Sequence, residues 1–575
     1  MEDHASKVEE EKAVEAEKAV DVAKAPEKDA KAAESQAEKP KKKTGLIAAI
    51  AVGAVLLVAG SVFAFVKLTE KEPKEVVITA FENVYADDQV NPIEELFGLS
   101  QFAESAAAAD VETELTIRLD DSSEESIQAY SGSGLRVTGQ YDRTKKKSGA
   151  NAGVIYKGMD LFQVQVYYGE ENLMAALPEF TSRVFMLDLS DGLGERIEKS
   201  PILGPMLKSQ GVNVEGLAAY FEEAAAQVEA GKTQKLDIDG LMKRYQEGTK
   251  AQENFKAAMT VEKAEKGTFV MNGEEVNCKG YLVLISKDSM MNFLRTSTDF
   301  FLNDEELKDL YLEQLQQSVR ITEMMGGGYS GVSAEELYAS TMEDVADAAE
   351  EMINFLDESL NDVTMTVYVD KKGNLAAVNG STHLTVEEED IQVLFDVLLE
   401  GGAYPTQNLK AKLEMEKKEE SEKVTVNLTR QGTYDGTNLT DDISIDLKLE
   451  DEETHTFGLT YTDTYQADSG DFHVGASVTA DSYLAADVSM TGIVNQLEKG
   501  KSIQMDIDEL KVMVMGKTAS VTLSGEYYYG PLSEEVVKPE GQIFDIVAAN
   551  EEEWQSVAME IIFQAMELTG QLEIE

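Results

Sequence analysis

The chain has 575 residues and a formal net charge of −57, with 108 acidic residues against 51 basic ones. This length exceeds one typical domain, and a hydrophobic content of 43% excludes a protein that is disordered throughout. A field this negative repels nucleic acid and anionic lipid headgroups, so no nucleic-acid partner is expected. The favoured interpretation of this net charge is that it keeps the protein soluble, and the second is that it attracts cations or basic partners.

The N-terminal region predicts a tail followed by a membrane anchor. Residues 1–44 are mostly Ala, Glu and Lys, which predicts a disordered tail. Residues 45–66 carry no charge, and a helix of 22 residues is about 33 Å long, enough for a bilayer core of about 30 Å. A lipid bilayer is therefore the partner expected for this segment.

The flanking charges predict how the anchor is oriented. Basic residues cluster before it, at Lys39, Lys41, Lys42 and Lys43. By the positive-inside rule, the tail is cytoplasmic and residues 67–575 are extracellular, in a single-pass protein of the cell membrane. A cleaved signal peptide is the alternative, since Val62-Phe63-Ala64 resembles a cleavage site. The long polar leader and the length of the apolar run favour the anchor.

The cysteine count indicates the kind of organism that the protein comes from. Cys278 is the single cysteine, which excludes an intramolecular disulfide. An extracellular body of this size without disulfides is typical of a Gram-positive bacterium. Cys278 alternates in phase with Val276 and Leu282, which predicts a buried structural thiol rather than a nucleophile.

Residues 67–360 predict a first extracytoplasmic domain of sheet and helices. An amphipathic helix is expected at 73–87. Strand alternation follows at Val111–Leu119, Leu135–Val137, Phe162–Tyr168 and Val276–Leu284. Helices are expected at Leu217–Ala230, after a capping box of Asn303 with Glu306, and after a second of Ser333 with Glu336 that opens a helix to about Leu360.

Residues 361–575 predict a second domain, an antiparallel meander with a C-terminal helix. Nine alternating segments begin at Ile391, Leu409, Val424, Ile443, Phe457, Phe472, Leu484, Val512 and Val521. Asn550 and Glu553 form a capping box for the last helix, which is expected to cover the apolar face of the meander. The predicted fold class is α+β: long, curved antiparallel meanders with covering helices, in two related halves.

This plan resembles the LolA/LppX-like lipoprotein-carrier superfamily, and also single-pass surface proteins of clostridial bacteria. The segment Leu161–Pro178 is similar to the strand–turn–strand–Pro run of those carriers. The resemblance implies a half-barrel that cups an acyl chain. A lipoprotein anchor cysteine is absent here, which puts shuttling between membranes in doubt.

No catalytic, cofactor or metal site emerges from the motifs. Gly-Lys-Ser/Thr triplets at Gly231, Gly500 and Gly516 lack the glycine that a phosphate loop needs five residues earlier. The four histidines are scattered without metal-ligand spacing. The chain is therefore not expected to be an enzyme and no cofactor is expected, although a cell-envelope hydrolase with an unrecognised site is the least favoured alternative.

The sequence favours a membrane-anchored binding or scaffold protein that cradles an apolar ligand, with any charged head of that ligand either cationic or left in solvent. The candidate lid over the ligand is the last helix, through Trp554, Val557, Ile561 and Leu568. A structural or adhesive surface protein with solidly packed sheets is the main alternative.

Overall fold

The computed structural model describes residues 72–572, except 87–88, 191, 222–236, 325–331, 387–388, 418–421, 452 and 515–518. The predicted tail, the predicted spanning segment 45–66 and the lysines from Lys39 to Lys43 all lie outside the described residues. Among the helices that are described, none has the length and hydropathy needed to cross a membrane.

The protein is α+β, as predicted, and is built on one curved, open and almost wholly antiparallel sheet of twenty strands. The strands of the N-terminal part are β1 Val111–Ser122, β2 Gly134–Asp142, β3 Lys147–Tyr156, β4 Met159–Gly169, β5 Asn172–Ala176, β6 Arg183–Asp188, β7 Thr260–Met271 and β8 Glu274–Ile285. The later strands are β9 Val363–Val369, β10 Leu375–Val386, β11 Glu389–Leu399, β12 Leu409–Lys417, β13 Lys423–Tyr434, β14 Asn438–Glu450, β15 Thr454–Gln466, β16 Asp471–Ala480, β17 Tyr483–Glu498, β18 Ser502–Val514, β19 Ala519–Pro531 and β20 Gln542–Asp545.

The helices lie mainly before β1, between β6 and β9, and at the C-terminus. They are α1 Pro73–Val84, α2 Pro92–Phe97, α3 Leu99–Ala108, α4 Glu125–Gln128, α5 Leu193–Lys199, α6 Leu203–Ser209, α7 Ile238–Thr249, α8 Ala251–Ala258, α9 Lys287–Asn303, α10 Glu305–Met324, α11 Ala334–Ser359 and α12 Glu551–Leu572. Residues 214–221 are helical as well, and the rest of the helix predicted at Leu217–Ala230 lies outside the described residues.

Two meanders make up the sheet, and one long-range pairing joins them. Each strand from β1 to β6 pairs with the next, as does each strand from β7 to β19. β1 then pairs with β19, from Val111 opposite Pro531 to Ser122 opposite Val521. The short β20 is added in parallel to β6.

The two predicted extracytoplasmic domains thus share one sheet. β8 pairs with β9 across the predicted boundary at residue 360, and β1 pairs with β19. Whether residues 67–360 and 361–575 fold as separate units stays a prediction.

Connections of only a few residues join the strands from β13 to β19. Asp481 and Ser482 both have positive φ, the requirement of a two-residue turn whose twist matches a hairpin. Before β14, the Asp435 carboxylate accepts hydrogen bonds from the Asn438 side chain and from the backbone amides of Asn438 and Thr437, which lower its pKa. Connections this short leave no chain in this region to form a covering helix.

The best-buried part of the sheet lies under the helices around β8–β11. α1 contacts β7, β9 and β10, α11 contacts β10, and α9 packs on α8 and α11. The strand side chains beneath are almost fully buried; we call these residues the covered face, and they are Val283, Val363, Val367, Leu384 and Val393.

The capping predictions had mixed outcomes. Ser333 with Glu336 and Asn550 with Glu553 form the expected reciprocal bonds. The box predicted at Asn303 with Glu306 is wrong, because Asn303 ends α9 and binds Asp299. Asp304 takes that position and accepts a hydrogen bond from the Leu307 amide at 3.1 Å.

Candidate apolar binding face

One face of the sheet continues the covered face beyond β11. Side chains alternate between the two faces of a strand, so the residue pairs define rows that cross the sheet on one side. One such row joins β11 to β18 through directly opposed residues, which are Val397, Ala411, Leu428, Ile445, Leu459, Val478, Ala486 and Val514. An apolar band therefore runs across eight strands.

This band is exposed where none of the described helices lies above the sheet. Leu459 is 44% exposed, Val478 42% and Val514 56%, whereas Val283, Val367 and Val393 of the covered face are each 0% exposed. We call the exposed set the open face; its residues are Ile445, Phe457, Leu459, Val478, Val488 and Val514. Contiguous apolar surface of this kind commonly marks an interaction or ligand site in soluble proteins.

Helix α2 covers one end of the band. Leu96 packs with Leu439 and Tyr465, and the Phe97 ring lies 4.8 Å from that of Tyr465. The Tyr434 hydroxyl donates a hydrogen bond of 2.8 Å to Glu95. The open face is thus bounded by a helical wall at the ends of β14 and β15.

A polar cluster interrupts the apolar band next to this wall. Arg430 donates from Nε to Asp441 Oδ1 at 2.9 Å and from Nη2 to the Tyr404 hydroxyl at 2.9 Å. Asp441 is 7% exposed, so Arg430 rather than water compensates its charge. The charges of Arg430 and Asp441 are therefore paired with each other.

Asp463 lies beside that pair and differs from it. Its backbone is directly opposite Asp441 on β14 and Val474 on β16, and it falls on the same face of β15 as Tyr461 and Tyr465. Within the described residues, its half-buried carboxylate has no hydrogen bond or ion pair. Burial raises the pKa of Asp463, and the Asp441 carboxylate adds to the increase while His473 opposes it.

The predicted lid helix lies elsewhere. Val557 is buried with Phe544 and Ala549, and Trp554 and Ile561 pack on this cluster together with Phe185. The Trp554 ring meets Phe544 edge-on at 4.9 Å, and Glu560 accepts a hydrogen bond from the Ser182 amide at 2.9 Å.

The helix α12 therefore sits on β6 and β20, not over the later meander as the sequence predicted. The half-buried Leu568 is on its last turns. The lid role of these four residues stays a prediction.

Two solvent-open cavities lie outside the open face. One, of about 410 Å³ over β10–β13, is lined by Phe269 and by polar residues that include Asn379 and Asp396, whose side chains bond each other. The other, of about 560 Å³, is lined by Lys287, Asn361, Asp362, His383 and Asp390, and the His383 ring lies 3.1 Å from Asp390. The lysines that line the two cavities are also in ion pairs: Lys410 with Glu400, Lys412 with Glu414 and Lys287 with Asp357.

The next two observations concern groups that could bind a metal and the single thiol. The described residues hold no group of three or more His, Cys, Asp or Glu side chains placed to bind a metal. Cys278 is 1% exposed, and burial, with a smaller effect of Asp370, raises its pKa to about 11. The predicted burial of this thiol is confirmed.

Comparisons with known proteins give no family. No protein-family model matches the chain, and no curated protein matches it. Among solved structures, it is similar to the CymD monoaromatic hydrocarbon channel at 6% identity, over 78% of this chain and 94% of that chain, with a TM-score of 0.19. A TM-score this low supports no argument about fold or function.

Proposed function

We propose that the protein is a binding protein that holds an apolar ligand on its open face, anchored to the membrane by residues 45–66 with its body extracytoplasmic. One observation carries the proposal. The apolar side chains of β13–β18 form continuous rows that remain exposed, bounded by α2 at one end. A bound apolar ligand would cover these side chains and remove them from contact with water.

The energetics favour a ligand with a long hydrocarbon part. Burial of apolar surface is worth about 25 cal/mol per Å², or about 0.8 kcal/mol for each methylene. A flexible chain lying along the rows gains this energy over several strands. Because the open face is already exposed, such a ligand can bind without the movement of a lid. The exposure of Leu459 and Val478 disfavours the alternative, a structural surface protein with solid cores.

A photoactivatable long-chain alcohol tests this function. The full-length protein, reconstituted in nanodiscs of neutral lipid, is irradiated with the probe, and the labelled peptides are identified by mass spectrometry. We expect labels in β13–β18 as well as in residues 45–66. Labels confined to 45–66 contradict the proposed function.

Two aspartate substitutions make the test specific. Leu459→Asp places a charge on the open face and is expected to abolish labelling of β13–β18. Leu282→Asp is the matched control, since Leu282 is 40% exposed but lies on the opposite side of β8 from Val283. It should leave labelling unchanged, and an equal loss in both variants counts against the site.

A further inference from the structure

Charged side chains are rare on the apolar face between β11 and β17, which makes their pairing informative. The residues of that face in the described strands that carry or can carry charge are Glu389, Lys417, Arg430, Asp441, His455 and Asp463. Lys417 binds Glu389 and Glu422, His455 binds Asp481 at 3.2 Å, and Arg430 binds Asp441. Asp463 alone among them has no partner in the part of the chain that the structure describes.

The surroundings of Asp463 suit the head group of an amphipathic ligand. Tyr461 and Tyr465 flank it along β15. Tyr465 is buried against Phe97, so the ring of the half-buried Tyr461 is the favourable surface for a cation. Ile443 is opposite Tyr461, and Leu459 follows on the same face, so an apolar path leads from the carboxylate to the open face. Arg430 is occupied by Asp441 and Tyr404, and the basic side chain that acts electrostatically on Asp463 is His473, which forms no ion pair with it in the described residues.

We infer that the ligand of the open face is an amphipathic cation, a long-chain amine, whose ammonium group pairs with Asp463 while its chain lies over β13–β18. This inference rests on the proposed function and specifies its ligand class. A carboxylate that is half-buried and unpaired is costly to desolvate, and an ammonium ion removes that cost. Fatty acids are disfavoured because their head group carries the same sign as Asp463 and Asp441.

Competition among three matched amphiphiles tests the inference. Dodecylamine, dodecanol and dodecanoate compete with the photoactivatable alcohol for β13–β18 of the full-length protein in nanodiscs. Labelling is expressed relative to that of residues 45–66, which corrects for partitioning into the bilayer. Dodecylamine should displace the probe at a concentration about tenfold lower than dodecanol, and dodecanoate should be the weakest.

Two variants locate the effect. Asp463→Asn should remove the advantage of the amine and leave dodecanol unchanged. Asp446→Asn, on the opposite face of β14, removes the same charge from the protein and should preserve the advantage. This control separates a local pair from the general field of the acidic body, which salt also screens.

The outcomes distinguish the two proposals. If dodecanol and dodecylamine compete equally in the unmodified protein, the cationic ligand is wrong and the apolar site stands. An advantage that persists in Asp463→Asn overturns the role of Asp463. If no amphiphile displaces the probe and β13–β18 is never labelled, the proposed function itself fails.

Discussion

The covered and open faces belong to the same side of one sheet, yet they have opposite environments. Both are built from strands with alternating apolar residues. Around β8–β11, helix α1 and the helices of the chain between β6 and β9 bury the face, whereas the strands from β13 to β19 are joined by connections of only a few residues. Strand alternation therefore establishes an apolar side, while the helices available in the chain decide whether the protein covers that side itself.

Thiol reactivity should show the largest contrast between the faces. With a pKa of about 11, Cys278 is about one part in a thousand thiolate at pH 8, and it is buried as well. In the Cys278→Ser background, Leu459→Cys places a thiol on the open face. Alkylation by iodoacetamide should be at least about a hundredfold faster for that variant than for Cys278 in the native protein, as followed by mass spectrometry. Similar rates would mean that the covered region opens readily.

Leucine truncations should differ next. Leu384 is 1% exposed and Leu459 is 44% exposed. Leu384→Ala is expected to lower the free energy of unfolding by about 3 kcal/mol and Leu459→Ala by less than about 1 kcal/mol, because only the first leaves a cavity. Denaturant unfolding monitored by circular dichroism measures both. Equal losses would show that the open face is packed in solution.

Breaking the ion pair of Arg430 and Asp441, which lies beside the open face, should have a smaller effect on stability. Arg430→Met leaves Asp441 buried and uncompensated, and should destabilise the protein by about 2 kcal/mol. The double variant Arg430→Met with Asp441→Leu is the control and should recover most of the loss. Failure of the double variant to recover would assign the role of Arg430 to packing on Tyr404 instead.

Sequence reasoning predicted the strands of the later meander and the antiparallel pairing of neighbours, but not the long-range pairing of β1 with β19. The nine segments expected between residues 391 and 523 correspond to β11–β19, because alternation is a local property. β1 and β19 pair although about four hundred residues separate them, and no local pattern specifies such a contact. The misplaced last helix has the same cause, since its apolar stripe does not specify which apolar surface it meets.

The strand alternation in the sequence contains a signal of the candidate site that the sequence analysis missed. In β15 the apolar phase reads Tyr461, Asp463, Tyr465, and in β14 it reads Leu439, Asp441, Ile443. A carboxylate in the apolar phase of a strand marks a position that needs a partner. The partner of Asp441, however, is Arg430 on the neighbouring strand, so the register was needed to show that Asp463 is the unpaired one.

The smallest effect expected is a gain of stability on removing the Asp463 charge. Burial raises the pKa of Asp463 in the folded state, so the folded protein binds this proton more tightly than the unfolded chain does. The charge therefore opposes folding at pH values above the folded-state pKa and has no effect below the unfolded-state pKa. Asp463→Asn should raise the free energy of unfolding at pH 7 by less than about 1 kcal/mol, because solvent screens a half-exposed charge, and the gain should vanish as the pH falls below the unfolded-state pKa of about 4. A loss of stability at pH 7 would indicate a structural role for the carboxylate.

Carbene footprinting of the full-length protein distinguishes the open face from the covered face. Irradiation with a small water-soluble diazirine, followed by peptide mapping, reports which side chains contact solvent. We expect strong modification of Leu459, Val478 and Val488 and near-complete protection of Val283, Val367 and Val393. Dodecylamine should protect the first group alone. Equal protection of the two groups in the absence of any ligand would contradict an open face.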